Sequence, residues 1–595
     1  MRHALVRLLA VSAIAYAMAC GGDFAGGDDS CSISLIVLPD QPERGDTIEA
    51  TASLSIDGDL SGIEVIEWSV RYGGADVAYQ VSGANGDEVV FTADQAGVYS
   101  ISASGSVGGV TCQGDARDLN VIEQGAVIEP MRLVVVPRGS SLVPPQTIDF
   151  DLPGGAPEYS LSTLSLTEGE LAGASVRGPD GEPLSGAYLR AVPAGAGPEL
   201  WVERFAEEDG QVDLRLRPVA HDVLVVADAD LPALFLAGAL PEQLNGSIVV
   251  DGGVTVTGTV RDPAGDPLAG ARVQVTVGGA PSTIGTSDAA GAFTLEARAG
   301  GPAAVTVTPP DASGLPALEL AGGPAISSGS DVAVTYGAGL DRRTVSPVLR
   351  ETDGTTPAAG ARVTFVSRAI ASAGTIAIDG DGAAAAGALV RTAQANGSGV
   401  IPDQRLTSVI YDAFVEPGPG APVGEGVRVY QALDLRTGQS APASLRLAAP
   451  GHITGQVVDA AGAPVAGARV SAAPDGLLAR STAAGGAATS GEDGSFDVRV
   501  AADGSYQVRV DGPGGAGRVH RALAAPGALP VELPATLELT GTLAIAGGNR
   551  VPGALVQLQC LTCGPDGGPA PVAEAISDAA GQFTMLAPDP GVVAQ

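Results

Sequence analysis

The sequence predicts an all-β protein built as a tandem array of antiparallel β-sandwiches, and three observations carry that expectation. One phrase of turn and strand residues recurs at domain-scale spacing, which marks tandem modules. Between its copies run short alternating apolar segments without an amphipathic helical pattern, as in a sandwich. The composition, with 84 Gly and 43 Pro in 595 residues, suits turn-rich β modules. With 45% hydrophobic residues the chain is too apolar to be disordered throughout, and with 4% aromatics each core should be small and made of Val, Leu, Ala and Ile. The length allows about four to six domains.

Residues 1–19 read as a bacterial export signal. Arg2 and Arg7 give a basic start, Leu8 to Ala17 is apolar but too short for a permanent membrane span, and small residues precede Cys20. Ala17-Met18-Ala19-Cys20-Gly21 resembles a lipobox, with Ala17 where Leu is usual, and the resemblance implies a lipidated Cys20 as the first mature residue. Residues 20–30, Gly- and Asp-rich, form a flexible tether. The expected place is the bacterial cell envelope, lipid-anchored, with the outer membrane or cell surface as the expected site; Gly21 and Gly22 after the Cys lack an inner-membrane retention Asp, which by itself does not separate inner from outer membrane.

Four further cysteines fit an exported chain. Cys31 and Cys112 bracket the first folded segment, where a bridge would close a loop of about 80 residues and contribute about 4 to 5 kcal/mol in the chain-entropy account. Cys560-Leu561-Thr562-Cys563 can be a redox motif, half a zinc site or a tight bridge. The strand-like run before it and the lack of nearby soft ligands favour the structural disulfide.

Residues 31–123 form a module of their own. Ile66-Glu67-Trp68-Ser69-Val70 and Ala96-Gly97-Val98-Tyr99-Ser100-Ile101 resemble the central Trp strand and the Gly-x-Tyr strand of Ig-like and PKD-like domains. Strand-like Met131 to Val136 and Thr147 to Asp151 then flank Pro144-Pro145, and this segment is expected to pair with the first repeat, giving a unit over 124–250.

The repeated phrase is clearest as Gly258-x-Val260-x-Asp262-x-x-Gly265-x-Pro267-Leu268-x-Gly270-Ala271-x-Val273 and Gly455-x-Val457-x-Asp459-x-x-Gly462-x-Pro464-Val465-x-Gly467-Ala468-x-Val470. Each is an alternating strand, a turn of Asp, Gly and Pro, and a returning strand. An answering turn follows, Ser287-Asp288-Ala289-Ala290-Gly291-Ala292-Phe293 in one and Ser490-Gly491-Glu492-Asp493-Gly494-Ser495-Phe496 in the other. Weaker copies keep the turns. Pro179-Asp180-Gly181-Glu182-Pro183-Leu184 is one, with Ala174 for the first Gly; Gly541 with Pro552-Gly553-Ala554 is a second, and Asp353-Gly354 with Gly360-Ala361 a third. The modules so delimited are 251–335, a divergent 336–450, 451–536 and 537–595, the last a candidate for truncation because the chain stops soon after Phe583. These residues resemble the carboxypeptidase regulatory-like domain, a transthyretin-like β-sandwich also described as a carbohydrate-binding-like fold. The resemblance implies an array of Ig-like and transthyretin-like sandwiches in an appended, non-catalytic role.

Chemistry is sparse. The zinc-binding His-x-x-Glu of carboxypeptidase catalytic domains is absent around His221, His452 and His520, and no Gly-x-Ser-x-Gly elbow occurs. Asp379-Gly380-Asp381-Gly382 and Glu492-Asp493-Gly494 place carboxylates on turns, but neither has the twelve-residue calcium loop, so solvated turns are expected. Asn245-Gly246-Ser247 and Asn396-Gly397-Ser398 match a glycosylation sequon, which carries little weight in a bacterial chain. The net charge of −35, with Arg supplying all 32 basic residues, disfavours nucleic acid as a partner. The expectation is a non-catalytic envelope lipoprotein without cofactor or metal, a structural or adhesive β-sandwich stalk that meets the membrane through its lipid and an envelope protein or polysaccharide through its loops. The alternative is a carbohydrate-binding protein, for which Trp201, Tyr188, Tyr411 and Tyr430 are the candidate stacking residues.

Overall fold

The computed structural model describes residues 30–591 apart from residues 40, 58–62, 108–109, 115, 139–142, 198–199, 228–229, 422–423, 482, 514–516, 518, 547 and 564–567. The export signal, Cys20 and residues 21–29 of the tether lie outside the described residues. What is described is all-β, with Pro241–Leu244 as its α-helix. The first unit is an Ig-like sandwich. One sheet holds Ser30–Leu38, Thr47–Asp57, Glu88–Thr92 and Gln80–Ser82; the other is centred on Ile63–Tyr72 and Gly97–Val107. Trp68 fills its core and donates Nε1–H to Gly86 O at 2.7 Å. A Cys31–Cys112 disulfide, with Cα atoms 5.4 Å apart, joins the two sheets.

The repeat units share one topology, clearest over 450–532. Its seven strands are Pro450–Val458, Arg469–Pro474, Gly486–Thr489, Ser495–Ala501, Ser505–Asp511, Val519–Ala524 and a broken last strand, Gly527–Ala528 with Val531–Glu532. One sheet has the order fourth, first, seventh and the other third, second, fifth, sixth. First and seventh strands run parallel, so the chain enters at one pole of the sandwich and leaves at the opposite pole. The same two orders recur in module 1, where Glu170–Arg177 lies between Gln211–Leu216 and Gly246–Val249, and in module 2, where Val254–Arg261 lies between Ala292–Ala297 and Asp331–Tyr336. Module 3 splits its first strand into Arg342–Val345 and Val348–Arg350. It also sends a hairpin, Ile370–Ile378 with Asp381–Ala388, across to module 2, where it pairs with Asp331–Tyr336 and Ala317–Ala325 and bridges the two sheets into one.

The main correction to the sequence reading concerns 124–170. This segment does not pair with the first repeat. Ile128–Val136 pairs antiparallel with Leu555–Cys560, and Glu158–Leu166 pairs parallel with Thr536–Ile545. The last module has four strands of its own, Thr536–Ile545, Leu555–Cys560, Ala570–Ile576 and Gln582–Pro588. Ile128–Val136, Gln146–Pro153 and Glu158–Leu166 occupy the fifth, sixth and seventh positions in the same two sheet orders. The module that looked truncated is therefore completed from the other end of the chain. Its opening falls where module 4 makes the turn between fourth and fifth strands, and there Val127 N–H donates to Gly591 O at 2.9 Å. Asp589 Oδ1 holds the two ends by accepting from Gly155 N at 2.7 Å and Gly591 N at 2.8 Å. Modules 1 to 4 leave this composite sandwich after Leu166 and return to it at Thr536, so the five modules form a closed circuit.

Burial gives the reason. Met131, Leu133, Val135, Val143, Leu152 and Leu166 share one core with Leu537, Leu539, Leu543, Val556, Leu558, Phe583 and Met585. Each buried aliphatic side chain is worth about 1.5–3 kcal/mol, so the six contributed by 128–166 supply on the order of 10 kcal/mol before ordering entropy. Left alone, either half would expose an apolar sheet face.

The repeated glycine of the first strand also has a physical cause. Gly258, Gly455 and Gly541 lie directly opposite Phe293, Phe496 and Phe583 on the fourth strand. A Cβ on Gly541 would stand 2.7 Å from Phe583 Cζ, and one on Gly258 or Gly455 would strike the Phe ring and also the carbonyl of Val332 or Leu529. Where the glycine is lost the aromatic is lost with it, as at Ala174 opposite Val212. The buried Ser287, Ser490 and Ser577 form a second clasp. Each donates to a carbonyl of the Pro-containing turn, at Leu268, Val465 and Val551, and accepts from the N–H of the Ala that opens the second strand.

Two outcomes test this fold. Gly541→Ala should cost about 1–3 kcal/mol in urea unfolding, and adding Phe583→Val should recover part of that loss, a coupling absent if the two positions act independently. A chain carrying a protease site between Gly252 and Gly253 should, after cleavage, still elute as one particle in native size-exclusion chromatography. Introducing Leu133→Asp should release the two fragments, whereas a linear array would respond to cleavage alike with or without that substitution.

Candidate functional site

The turn carboxylates are bound to their own backbones. Asp262 Oδ1 accepts from Ala264 N at 2.9 Å and Asp266 N at 3.1 Å, and Asp459, Asp288 and Asp578 repeat the arrangement. Burial pushes the Asp262 carboxyl up, but the Ala264 N–H, the Arg342 guanidinium at 3.0 Å and the Asp266 N–H outweigh it and hold the group below its ordinary value. Of the two calcium-like turns, Asp493 accepts from Ser495 Oγ at 2.6 Å, and that bond lowers its pKa. Asp379, at φ 52°, accepts from Ser330 Oγ at 2.8 Å and Asp331 N at 2.9 Å, so the module 3 hairpin tip caps a loop of module 2. In the sequons, Asn396 accepts from Ser398 N at 2.9 Å and Asn245 from Gly173 N at 2.8 Å. These polar side chains fix hairpins.

The histidines are dispersed. His221 is buried in the fifth strand of module 1, Nδ1 lies 2.8 Å from Val219 O, and burial lowers its pKa. His452 Nδ1 lies 2.8 Å from Asp497 Oδ1 on the neighbouring strand, and His520 belongs to the opposite sheet of that module.

Cys560 and Cys563 form a disulfide, with Cα atoms 5.5 Å apart. Sequence reasoning found no further ligand near them, yet the composite module brings up Glu129 from the far end of the chain. Its Oε1 lies 3.3 Å from Cys560 Sγ and accepts from Thr562 Oγ1. Glu129, Cys560 and Cys563 are the group of metal-type ligands found among the described residues, but both sulfurs are consumed by the disulfide. Leu561 N donates to Pro130 O at 3.1 Å beside them, so the loop works as a clasp across the seam.

The four candidate aromatics separate into two kinds. Tyr411 is fully buried and donates to Thr407 O at 2.9 Å; Tyr430 lies along the sixth strand of module 3, its hydroxyl accepting from Arg446 N at 2.8 Å. Tyr188 and Trp201 instead share an outer edge of module 1. Tyr188 stands opposite Phe205 with ring centroids 5.3 Å apart, and its hydroxyl donates to Glu203 Oε2 at 2.7 Å. The Arg190 guanidinium lies 5.5 Å from the centre of the Trp201 ring. Trp201 is 42% and Phe205 67% exposed. Sequence reasoning missed Phe205, whose signal was its period-two relation to Trp201 and Glu203 in one short segment.

Polar contacts between modules were also out of reach of the sequence. Arg342 of module 3 pairs with the buried Asp262 of module 2 at 3.0 Å. Buried Glu416 of module 3 takes Arg362 on one oxygen and accepts from Ser481 Oγ of module 4 at 2.6 Å on the other. The Ig-like unit meets the composite module through Asn120, which bonds Ser160 N at 2.8 Å and Ser160 O at 2.7 Å.

No curated relative matches the chain in sequence. Among solved structures it is similar to the Bacillus anthracis TIE protein, with 11% identity over 70% of this chain and 75% of that one at a TM-score of 0.14. It is likewise similar to a streptococcal ancillary pilin, with 9% identity, 47% and 99% coverage and a TM-score of 0.19. The shaft pilin SpaA of Lactobacillus rhamnosus GG gives 12% identity, 33% and 100% coverage and a TM-score of 0.15. Residues 452–538 match the family model of the carboxypeptidase regulatory-like domain, the span that folds as module 4, and the chain thus carries a carboxypeptidase regulatory-like domain.

Proposed function

We propose that this chain is a non-catalytic structural protein of the bacterial cell envelope, held to the membrane through a lipid on Cys20 and displaying a closed circuit of regulatory-like sandwiches. The observation that carries the reading is where the polar side chains go. The turn carboxylates, the three clasp serines and the buried Glu416 are engaged in holding hairpins and junctions, which is the chemistry of a scaffold. The export signal, the lipobox-like Ala17-Met18-Ala19-Cys20-Gly21 and the cysteine use support the compartment. The strong negative charge favours solubility outside the cell and works against nucleic acid.

Closure changes what kind of stalk this is. The Ig-like unit stands next to the tether, the composite module follows it, and modules 1 to 4 make a doubled-back arm whose two limbs meet at the seam. Such a loop reaches a shorter distance than five modules end to end, but load on it is shared by two limbs.

In a bacterial host the full chain should fractionate with membranes and enter solution only with detergent, while Cys20→Ser should appear as a soluble exported or retained precursor. Labelled palmitate should enter the first form and not the second. A wild-type chain recovered unlabelled in the cytoplasm would overturn the envelope reading.

A further inference from the structure

The outer edge of module 1 departs from the other four modules in a way the fold does not require. In each module the residues after the Gly-Ala pair start the second strand, and the first and third of them point outward. They are Arg272 and Gln274 in module 2, Arg362 and Thr364 in module 3, Arg469 and Ser471 in module 4, Leu555 and Gln557 in the composite module. In module 1 they are Tyr188 and Arg190, while the alternate residues Leu189 and Ala191 are fully buried like their counterparts. Across the strand pair the residue facing the first position is Thr286, Gln394, Thr489 or Ile576 in the other modules, and Phe205 in module 1. Four sister sandwiches close with mostly polar or aliphatic residues here, so packing does not explain a Tyr, a Phe and a Trp together.

Exposure sharpens the contrast in a chain with 4% aromatics. Among the described residues the exposed aromatic side chains are Tyr79, Trp201 and Phe205, and two of these three belong to this edge. Polar groups stand beside the rings. Glu203 presents a carboxylate that accepts from Tyr188, and among the described residues the Nε of Arg190 is buried without a hydrogen-bond partner. The strand Val202–Phe205 is the outer strand of its sheet, so the platform is open on one side, while the opposite edge of that sheet turns to module 2 through the Ala233 N to Pro281 O bond of 2.9 Å.

We propose that Trp201, Phe205 and Tyr188 form a polysaccharide-binding platform, on which the C–H face of a pyranose ring stacks while Arg190 and Glu203 bond its hydroxyls. Aromatic faces attract polarised C–H groups and bury apolar area without a large entropic cost, and adjacent charged groups supply hydroxyl partners. The inference goes beyond the scaffold role and does not depend on the lipid anchor. A protein partner would have less use for exposed ring faces flanked by an Arg190 whose Nε has no hydrogen-bond partner and by the Glu203 carboxylate.

The test is affinity electrophoresis of the full chain through gels containing laminarin, xylan or polygalacturonate. At least one of the three should retard the wild-type chain. Trp201→Ala and Phe205→Ser should each weaken that retardation about tenfold, the size of one lost stacking contact. Trp201→Tyr, which keeps a ring, should retain most of it, and Tyr79→Ala, which removes the exposed aromatic of the Ig-like unit, should retain all of it. Thermal melts of the Trp201 and Phe205 variants should stay close to wild type, because these side chains are exposed, whereas Tyr79→Ala also gives up the bond from its hydroxyl to Trp68 O at 2.7 Å and serves as a control for retardation alone. Mobility unaffected by all three polysaccharides, or retardation that survives the combined Trp201→Ala and Phe205→Ser change, would overturn the proposal.

Discussion

The parallel pairing of Glu158–Leu166 with Thr536–Ile545 is the constraint on which the rest of the architecture depends. In every module a first strand and a seventh strand run side by side in the same direction, so each sandwich passes the chain from one pole to the other. A string of such units has no reason to close. It closes here because the unit that ends the sequence lacks three strands and the segment ahead of the first repeat has three strands without a sheet. Each half has an apolar face that water penalises, and the shared core of Met131, Leu133 and Val135 with Leu539, Val556 and Phe583 removes both penalties at once.

Within each module the order is kept by a few local devices rather than by a large core. Glycine on the first strand lets a phenylalanine ring lie across it, and the pair is exchanged as a unit, to Ala174 with Val212 in module 1. The clasp serine follows a similar rule: where Ser287, Ser490 and Ser577 are replaced, by Ala206 and Ala395, the backbone bond from Gly186 N or Gly360 N survives and the side-chain bond is given up. This is why modules 1 and 3 look degraded in sequence and yet keep the same strand order. The backbone ladder tolerates loss of a hydroxyl bond worth about 1 kcal/mol, but it does not tolerate an unmatched Cβ against a ring.

The hairpins were legible in the sequence because their causes are local. An Asp accepting from N–H groups two and four residues ahead, and a Gly beside it, act within one turn, so Asp262, Asp459 and Asp578 announce themselves. The pairing of 128–166 was not legible, because strand partners separated by more than 400 residues leave no periodicity linking them, and proximity in sequence argued for the first repeat. Glu129 beside Cys560 was hidden for the same reason, as were Arg342 with Asp262 and Glu416 with Ser481. The aromatic edge of module 1 was half legible: Trp201 and Tyr188 stood out by rarity, but only the strand register brings Phe205 to Tyr188 and Arg190 to Trp201.

Closure also orders events along the chain. Residues 128–166 are made early, but the core they belong to cannot form until the last sixty or so residues exist, and contacts of such long sequence separation are slow to form. Modules 2, 3 and 4 can be built in the interval from their own strands, with the Ile370–Ile378 hairpin already tying module 3 to module 2. The final step is then docking of two prefolded limbs through one sandwich rather than folding of a free end. A preassembled arm lowers the entropy lost at closure, since the ends to be joined are held by rigid modules instead of by hundreds of flexible residues. The same geometry sets the Ig-like unit and the described C-terminal end against the composite module, so the aromatic edge on module 1 is carried one junction away from the seam, on the arm that leaves it.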